Sequence, residues 1–597
     1  MPYGHVTRAW VYRRLAVLDL LPPEGGSGSS WKTIASRGLA IQSPAAQQLP
    51  CVGSCAQVKR RALIYALTKM LIPMANTNHG GIPPAGYPLQ AGSRASGDGR
   101  LPGAGRADEP SLGASWAEMT ALIVLLVFYL LVPVGATPDA LEMLAAANML
   151  GAVAFCIIML TGAIGLARAN SNMVFTAPFW FRISTATYFG FGSLTPFLAN
   201  DTTIAYLEQF AYLEPSTLLK VNTLVVFGTL CTFAATMVLQ RVSPNRFTQR
   251  EASRSYRDLG SVATIVAVVG FSAKYMLLVP YQFGAFPGLT LPGAVTTIEL
   301  FPAVSIFLLV LWALRRGKAM ILIPIALFLL EAVGGLVMGN KSVVILAAVM
   351  FALGALCDRF TTRRMLISTV LIAGLFIVSA PPVDAVRKAM AARYGSISAG
   401  TLAERLDVLA NFSGEKSRAS NREGIQGSLV RLSYATPAGF AISQYDIGLP
   451  GHSYELWLAV VVPRFLWRDK PIITQTGVDF NVAATGSRTS ASSPGLVAEA
   501  YWNFGWGGVA IFMSMFGAVL FFLGRYSLWV VQSGNWWLLP VALIAMRTGM
   551  RSDGFFVADI LGSSVMIIML HLIITLSLRL WASLKVGQVP SQSASLS

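Results

Sequence analysis

The sequence has few charged residues, few histidines and few cysteines. Charged side chains make up only 12% of the 597 residues, whereas 54% are hydrophobic and the mean hydropathy is +0.59. This composition excludes an ordinary soluble globular protein, in which about 25% of residues are charged. The five cysteines are scattered, so we expect neither a structural disulfide nor a metal site. The composition predicts a multi-span membrane protein.

The sequence also lacks the common nucleotide-binding and hydrolase motifs. It contains no Walker A pattern, no GxGxxG opening a soluble domain and no GxSxG, which argues against cytoplasmic nucleotide chemistry. The net charge of +17 is compatible with nucleic-acid binding. Membrane proteins also collect Lys and Arg in their cytoplasmic loops, so the charge alone does not decide. We expect no nucleic-acid partner.

Residues 1–115 differ in composition from the rest of the chain. Pieces such as PPEGGSGSS are rich in Gly, Ser and Pro and have no periodicity. They predict a disordered N-terminal extension or a translation start placed too far upstream. The apolar piece 62–75 is shorter than the roughly 20 residues that a bilayer-spanning helix needs.

From residue 116 onward, apolar runs long enough to cross a bilayer recur. They predict an all-α, polytopic membrane bundle of about twelve transmembrane helices. The predicted spans are 116–135, 141–167, 173–198, 218–239, 260–281, 294–314, 319–338, 342–357, 365–380, 505–524, 527–546 and 554–578. The predicted organisation is therefore spans 1–9 in 116–380, one large loop in 381–498, spans 10–12 in 499–585 and a tail in 586–597.

Basic residues follow every even-numbered span. The positive-inside bias therefore places both termini in the cytoplasm and the large loop in the periplasm. That loop carries twelve basic and nine acidic residues. A net positive charge outside the cytoplasm is contrary to the positive-inside bias, but the bias does not apply to long loops. The short outer loop RTGMRSDG, with Arg547 and Arg551, also runs against the bias.

Several ionisable side chains lie within the outer half of the predicted spans. Such residues are costly in a bilayer and often functional. Glu142, Glu299 and Asp559 lie near span ends, where a side chain can snorkel to water. Lys274 and Glu331 lie about two helical turns inside. A plain ion pair between Lys274 and either Glu299 or Glu331 is the alternative to a functional role.

A cationic and aromatic cluster follows a proline in the stretch VVVPRFLWRDKP. Arg464, Arg468 and Lys470 suit phosphate. Trp467 suits either anchoring at the membrane interface or stacking on a sugar ring. A lipid-linked diphosphate sugar would use both groups. The alternative is a cluster that only binds anionic headgroups.

If the ligand is a lipid-linked diphosphate sugar, the reaction to expect is a glycosyl transfer, which needs a base for the acceptor hydroxyl. The candidates on the predicted outer side are Glu455, Asp469, Asp479, Glu499 and His452. A single loop histidine such as His452 is more often just a solvated side chain.

Two blocks resemble a known family. The stretch PRFLWRDKP, Pro463 to Pro471, and the run EAYWNFG, Glu499 to Gly505, are similar to the Wzy-type polymerases of bacterial O-antigen and exopolysaccharide repeat units. GNKSVVI, Gly339 to Ile345, matches a small polar turn that opens a span in such proteins.

The resemblance implies a membrane glycosyltransferase in the bacterial inner membrane. Such enzymes transfer the growing glycan from undecaprenyl diphosphate to the next lipid-linked repeat unit, in the periplasm. They use no nucleotide sugar, no metal and no cofactor. The implied partners are the undecaprenyl-diphosphate-linked oligosaccharide, the lipid bilayer, a chain-length regulator and a flippase. A polysaccharide ligase or a flippase for lipid-linked oligosaccharide remain the alternatives.

The predicted site combines the resemblance with the charge pattern. The predicted catalytic residues are Arg464, Glu499 and His452. The predicted substrate-binding residues are Arg468, Lys470, Trp467, Asn503, Arg387, Arg393, Arg431, Arg547, Arg551, Lys274, Glu299 and Glu331.

Overall fold

The computed structural model describes most of the chain from Leu112 to Val586. The described ranges are 112–135, 141–208, 213–243, 258–286, 297–394, 400–412, 427, 429–462, 466–467, 469–473, 475–488 and 491–586. Every regular element in these ranges is helical, and no strand occurs in them. The predicted disordered extension 1–115 lies outside them except for residues 112–115, and the predicted tail 586–597 does so except for Val586.

The helices are numbered here in chain order. α1 to α5 are Trp116–Leu131, Leu141–Ala169, Ala177–Thr185, Asp201–Leu207 and Pro215–Val242. α6 to α10 are Leu259–Gln282, Ile298–Arg316, Ala319–Val337, Lys341–Asp358 and Thr362–Tyr394. The shorter helices α11 to α14 are Leu402–Ala410, Ala435–Asp446, Trp457–Val461 and Gln475–Thr485. α15 to α17 are Leu496–Ser533, Leu539–Gly549 and Gly562–Val586.

Nine helices in the described ranges are long and apolar enough to cross a membrane. They are α2, α5 to α10, α15, and α17 together with the turn before it. This confirms the all-helical fold class and agrees with a multi-pass membrane protein. The other three predicted spans fall on α1, on the interrupted segment around α3 and on α16, which are shorter. The number twelve therefore stays a prediction.

The bundle has two chemically different ends. At one end, Gly113 bonds Gln240 and Arg525 bonds Ser243. We call this the basic end, because Arg241 and Arg525, which follow even-numbered predicted spans, lie there. The opposite end is called the long-loop end, because the described residues between 400 and 495 lie there. Contacts at this end join the starts and ends of distant helices, as when Lys220 of α5 pairs with Asp446 of α12 at 2.6 Å.

The large segment between α10 and α15 is more helical than a loop. α10 continues through Pro381 and Pro382 as far as Tyr394. α15 begins at Leu496, and Gly505 interrupts it with a φ of 62° and a ψ of −152°. A side chain is rarely tolerated at such a backbone angle, so glycine is needed there. The break separates the first turns of α15 from its long apolar part.

A buried ion pair holds the basic end together. Arg182 of α3 donates from Nε and Nη2 to the two carboxylate oxygens of Glu118, at 2.8 and 3.1 Å. The same guanidinium donates to the carbonyl oxygens of Pro178 and Gly113 and lies 4.4 Å from the centre of the Phe233 ring. Arg182 is fully buried, so these contacts fasten α1, α3 and α5 to one another.

Replacing Glu118 by Ala should destabilise the protein strongly. The change leaves the Arg182 charge buried without its partner, which typically costs about 3–5 kcal/mol. Thermal unfolding of the purified protein in detergent measures the loss. Glu142→Ala is the matched control, because Glu142 is exposed at the start of α2. Equal melting temperatures for the two variants would contradict the structural role of the pair.

Candidate functional site

A cavity of about 630 Å³ lies at the long-loop end. Its size falls within the range of about 300–1,000 Å³ that is usual for small-molecule sites. Five of the predicted substrate-binding residues line it: Lys274, Glu299, Glu331, Arg547 and Arg551. The cavity extends along α9 from Asn340 to Val349, a distance of about 14 Å at the helical rise per residue. The structure therefore brings together charges from four separate stretches of the chain.

Three π-helical turns lie around this cavity. They are Ala186–Phe191, Ala273–Leu278 and Phe556–Leu561. The first carries Tyr188 and the second carries Lys274, both of which line the cavity. The third carries Asp559, which contacts the cavity residue Arg551. Such wide turns occur mostly as single turns within α-helices and are frequent at functional sites.

The GNKS stretch forms the sharp turn between α8 and α9. Gly339 has a φ of 66°, and the amide of Asn340 closes the end of α8 by donating to the carbonyl oxygen of Gly335 at 2.8 Å. The Asn340 side chain then accepts a hydrogen bond from the amide of Ser342 and caps α9. Asn340 and Ser342 both line the cavity. This turn thus places two neutral polar groups at its edge.

Lys274 forms an ion pair with Glu331. Its Nζ lies 2.6 Å from Oε2 of Glu331, and the two side chains are 6% and 2% exposed. Tyr275 donates its hydroxyl to the other carboxylate oxygen at 3.1 Å. Of the two partners predicted for Lys274, the structure selects Glu331 and not Glu299. The pair joins α6 to α8, and both of its charges are largely committed to each other.

A second polar group lies around the turn that follows α16. Nε of Arg551 lies 3.7 Å from Oδ1 of Asp559. The hydroxyl of Tyr434 donates to Oδ2 of Asp553 at 3.2 Å, and the Tyr434 ring packs edge-on against Tyr188. Burial raises the pKa of the Asp553 carboxyl above its usual range, and the Arg551 guanidinium offsets only part of this.

Arg547 and Glu299 are the two cavity charges that remain uncommitted. Among the described residues, neither side chain makes a hydrogen bond or an ion pair, although both line the cavity. Arg547 lies within electrostatic range of Glu299, Arg551, Asp553 and Asp559. A guanidinium and a carboxylate are therefore left free to bind a ligand.

A further cluster of cations lies beside the GNKS turn. Lys341, the first residue of α9, pairs with Asp384 of α10 at 2.8 Å. This pairing offsets the unfavourable position of a cation at a helix N-terminus. Arg387 and Arg431 lie within electrostatic range of Lys341 and of each other. Of the predicted binding residues, Arg387 and Arg431 therefore form one group next to the cavity.

Glu499 and Asn503 form a buried polar network away from the cavity lining. Ser453 and the backbone amide of Phe556 each donate to Glu499, both at 2.6 Å. Asn503 donates to Ser453 and to the carbonyl oxygen of Glu499. Glu499 is fully buried. The EAYWNFG run therefore joins α15 to the His452 region and to the π turn before α17.

The remaining predicted residues lie apart from the cavity. His452 pairs with Glu455 at 2.8 Å, and both side chains are 73% exposed. Lys470 donates to the carbonyl oxygen of Val462 at 2.9 Å, at the end of the five-residue α13. Trp467 and Arg393 are exposed. The predicted roles of Arg464 and Arg468 concern residues outside the part of the chain that the structure describes.

Sequence reasoning missed part of the cavity lining. Tyr188 gives no signal, because an aromatic residue in an apolar span is unremarkable. Asp553 lies between Arg551 and Gly554 in RTGMRSDG, a loop in which the sequence directs attention to the arginines. The unusual charge of that short loop is the sequence signal that could have indicated Asp553.

The comparisons with known proteins give one similarity. Residues 247–527 match the model of a family described as a domain of unknown function, DUF8712. The match covers just under half of the chain and includes α6 to α9, whereas Tyr188 and the 547–553 turn lie outside it. No curated protein and no solved structure matches the chain.

Asp553→Asn should change the pH dependence of stability. Because burial raises the pKa of Asp553 in the folded protein, its contribution to stability is complete below the ordinary aspartate pKa of about 3.9. That contribution is lost as the pH rises through the raised value. The melting temperature of Asp553→Asn, relative to the unsubstituted protein, should therefore increase as the pH rises above about 4.

The matched control for this measurement is Asp479→Asn. Asp479 is an exposed carboxylate of α14 and gives the baseline for the loss of one acidic group. A constant difference in melting temperature between Asp553→Asn and this control across the pH range would contradict the expected effect.

Proposed function

We propose that this protein polymerises lipid-linked oligosaccharide repeat units. It would transfer the growing glycan from undecaprenyl diphosphate to the next repeat unit during O-antigen or exopolysaccharide synthesis. The observation that carries the proposal is the cavity at the long-loop end, which combines an uncommitted guanidinium, Arg547, with an uncommitted carboxylate, Glu299. The resemblance of the Pro463–Pro471 and Glu499–Gly505 stretches to Wzy-type polymerases supports the same function.

The cations of the cavity suit a diphosphate leaving group. Negative charge builds up on the diphosphate oxygen as the glycosidic bond breaks, and a positioned cation stabilises it. Arg547 has its donors free of other described residues, and Arg551 is held only at 3.7 Å by Asp559. Arginine can bind two phosphate oxygens at once, which fixes the orientation of the group. In this proposal, Arg547 is the main diphosphate ligand.

The apolar part of the cavity suits a lipid-linked substrate. Val343, Leu346 and Val349 line it at a spacing of three residues along α9. Residues three apart lie on nearly the same side of a helix, so they form an apolar strip beside the polar groups. A lipid carrier with a charged head needs both kinds of surface. The neighbouring Arg387 and Arg431 would meet acidic groups on the substrate.

The proposal places the protein in the bacterial inner membrane, with the long-loop end in the periplasm and both termini in the cytoplasm. The arginines of the basic end support this orientation through the positive-inside bias. The donor sugar is carried by lipid on the periplasmic side, so the cavity must open there.

Arg547→Ala should lower polymer formation by about 100-fold, as expected for loss of one group that stabilises developing charge. The assay supplies the purified protein in nanodiscs with its own lipid-diphosphate-linked repeat unit, and products are separated on a gel. Arg547→Lys should retain part of the activity, because the charge stays and the bidentate geometry is lost. Arg488→Ala is the control, since Arg488 is exposed and does not line the cavity.

Two outcomes would contradict the proposal. If the unsubstituted protein forms no ladder of repeats, a ligase that lacks its acceptor or a flippase becomes the better explanation, and lipid-transport assays would separate these. If Arg547→Ala and Arg488→Ala behave alike, the cavity is not the place where the diphosphate binds.

Single cysteines should report the orientation. In a variant whose native cysteines are replaced by serine, Arg488→Cys should react with a membrane-impermeant maleimide from the periplasmic side. Arg363→Cys, at the basic end, should react only after the inner membrane is permeabilised. Both positions are exposed, so access depends on the side of the membrane. The reverse labelling pattern would place the cavity in the cytoplasm and exclude the proposed reaction.

A further inference from the structure

The carboxylates of the cavity differ in how far they are already engaged. Glu331 is bound by Lys274 and by the hydroxyl of Tyr275. Asp553 accepts a hydrogen bond from Tyr434, and burial raises the pKa of its carboxyl above the usual range. Glu299 has no hydrogen-bond or ion-pair partner in the described part of the chain, and it faces the same cavity. Only Glu299 among these three has both carboxylate oxygens available.

Glu299 also lies close to positive charge. It lies in the first turn of α7, within the 3₁₀ turn Thr297–Leu300. Negative charge is stabilised at a helix N-terminus, and the positive charge of Arg547 lies within electrostatic range.

We infer that Glu299 is the general base of the glycosyl transfer, accepting the proton of the acceptor hydroxyl inside the cavity. This inference rests on the function proposed above. The sequence indicates only a binding role for Glu299, and it places catalysis on Arg464, Glu499 and His452.

The step balances without any further reactant. The acceptor hydroxyl loses its proton to a carboxylate oxygen of Glu299, and its oxygen forms the new bond to the anomeric carbon of the donor glycan. The bond between that carbon and the diphosphate oxygen breaks, and the electron pair leaves with undecaprenyl diphosphate. Arg547 stabilises the leaving charge, and Glu299 later releases its proton to water.

The alternative bases are poorly placed for this step. Both oxygens of Glu499 already accept hydrogen bonds, and the side chain is fully buried outside the cavity lining. His452 is 73% exposed and pairs with Glu455. Neither residue lines the cavity that holds Arg547. A base must reach the acceptor hydroxyl directly or through one water, which Glu299 can do from the cavity wall.

Glu299→Gln tests the inference in the polymerisation assay. The amide is nearly isosteric and cannot accept a proton, so the rate should fall by at least about 100-fold, within the range for general bases. Binding of the lipid-linked repeat unit, measured separately, should change by less than about threefold, because the polar contact survives. The melting temperature should change little, since Glu299 makes no hydrogen bond or ion pair to another described residue and only its longer-range attraction to Arg547 and the helix N-terminus is lost.

A pH–rate profile separates a base from a structural group. In the unsubstituted protein, the rate should fall at low pH, as for any reaction that needs a carboxylate base, and the residual rate of Glu299→Gln should lack this fall. Glu299→Asp keeps a carboxylate and should retain more activity than Glu299→Gln. Glu208→Gln is the control, because Glu208 is exposed and does not line the cavity.

The results distinguish this inference from the proposed function. If the unsubstituted protein forms polymer but Glu299→Gln does so within about threefold of its rate, Glu299 is not the base, although the protein is a polymerase. The same conclusion follows if Glu299→Gln loses binding in proportion to activity, or if the Asp and Gln variants are equally active. If the unsubstituted protein forms no polymer, the proposed function itself fails.

Discussion

A charge without a partner is costly inside an apolar bundle, and this constraint orders the polar residues of the protein. Arg182 with Glu118 and Lys274 with Glu331 pair at hydrogen-bond distance in almost fully buried settings. Removing one member of such a pair leaves the charge of the other uncompensated, so the paired residues stabilise the fold. Against this background, Arg547 and Glu299 differ from the other charges of the cavity, because no described residue forms a hydrogen bond or ion pair with either of them, and the proposed function assigns them to the substrate.

The cavity that holds these two residues depends on breaks in otherwise regular helices. Gly339 turns the chain sharply between α8 and α9, and this turn brings Asn340 to the cavity edge. The π turn Ala273–Leu278 carries Lys274, whose charge Glu331 neutralises from α8. A bundle of uninterrupted helices would close-pack its interior and leave no such space. The irregular turns therefore create the cavity that the polar residues line.

The resemblance to polymerases and the cavity support one function through different residues. The Glu499–Gly505 run stabilises the region around Ser453, because Glu499 accepts two buried hydrogen bonds and Asn503 donates two. The charges that face the cavity come instead from spans and from the short 547–553 turn. Such a motif can distinguish a family through its structural role, while the proposed chemistry depends on residues elsewhere in the chain.

The sequence by itself determined the all-helical class, the approximate positions of the helices and the charged residues that an apolar chain could hold only at a cost. Hydropathy and charge are local properties, so the sequence alone is enough to select Lys274, Glu299, Glu331, Arg547 and Arg551. Only the tertiary structure decided that Lys274 pairs with Glu331, that Glu499 is enclosed, and that Tyr188 and Asp553 join the cavity. These choices depend on how helices far apart in the chain pack together, and a local pattern carries no information about that packing.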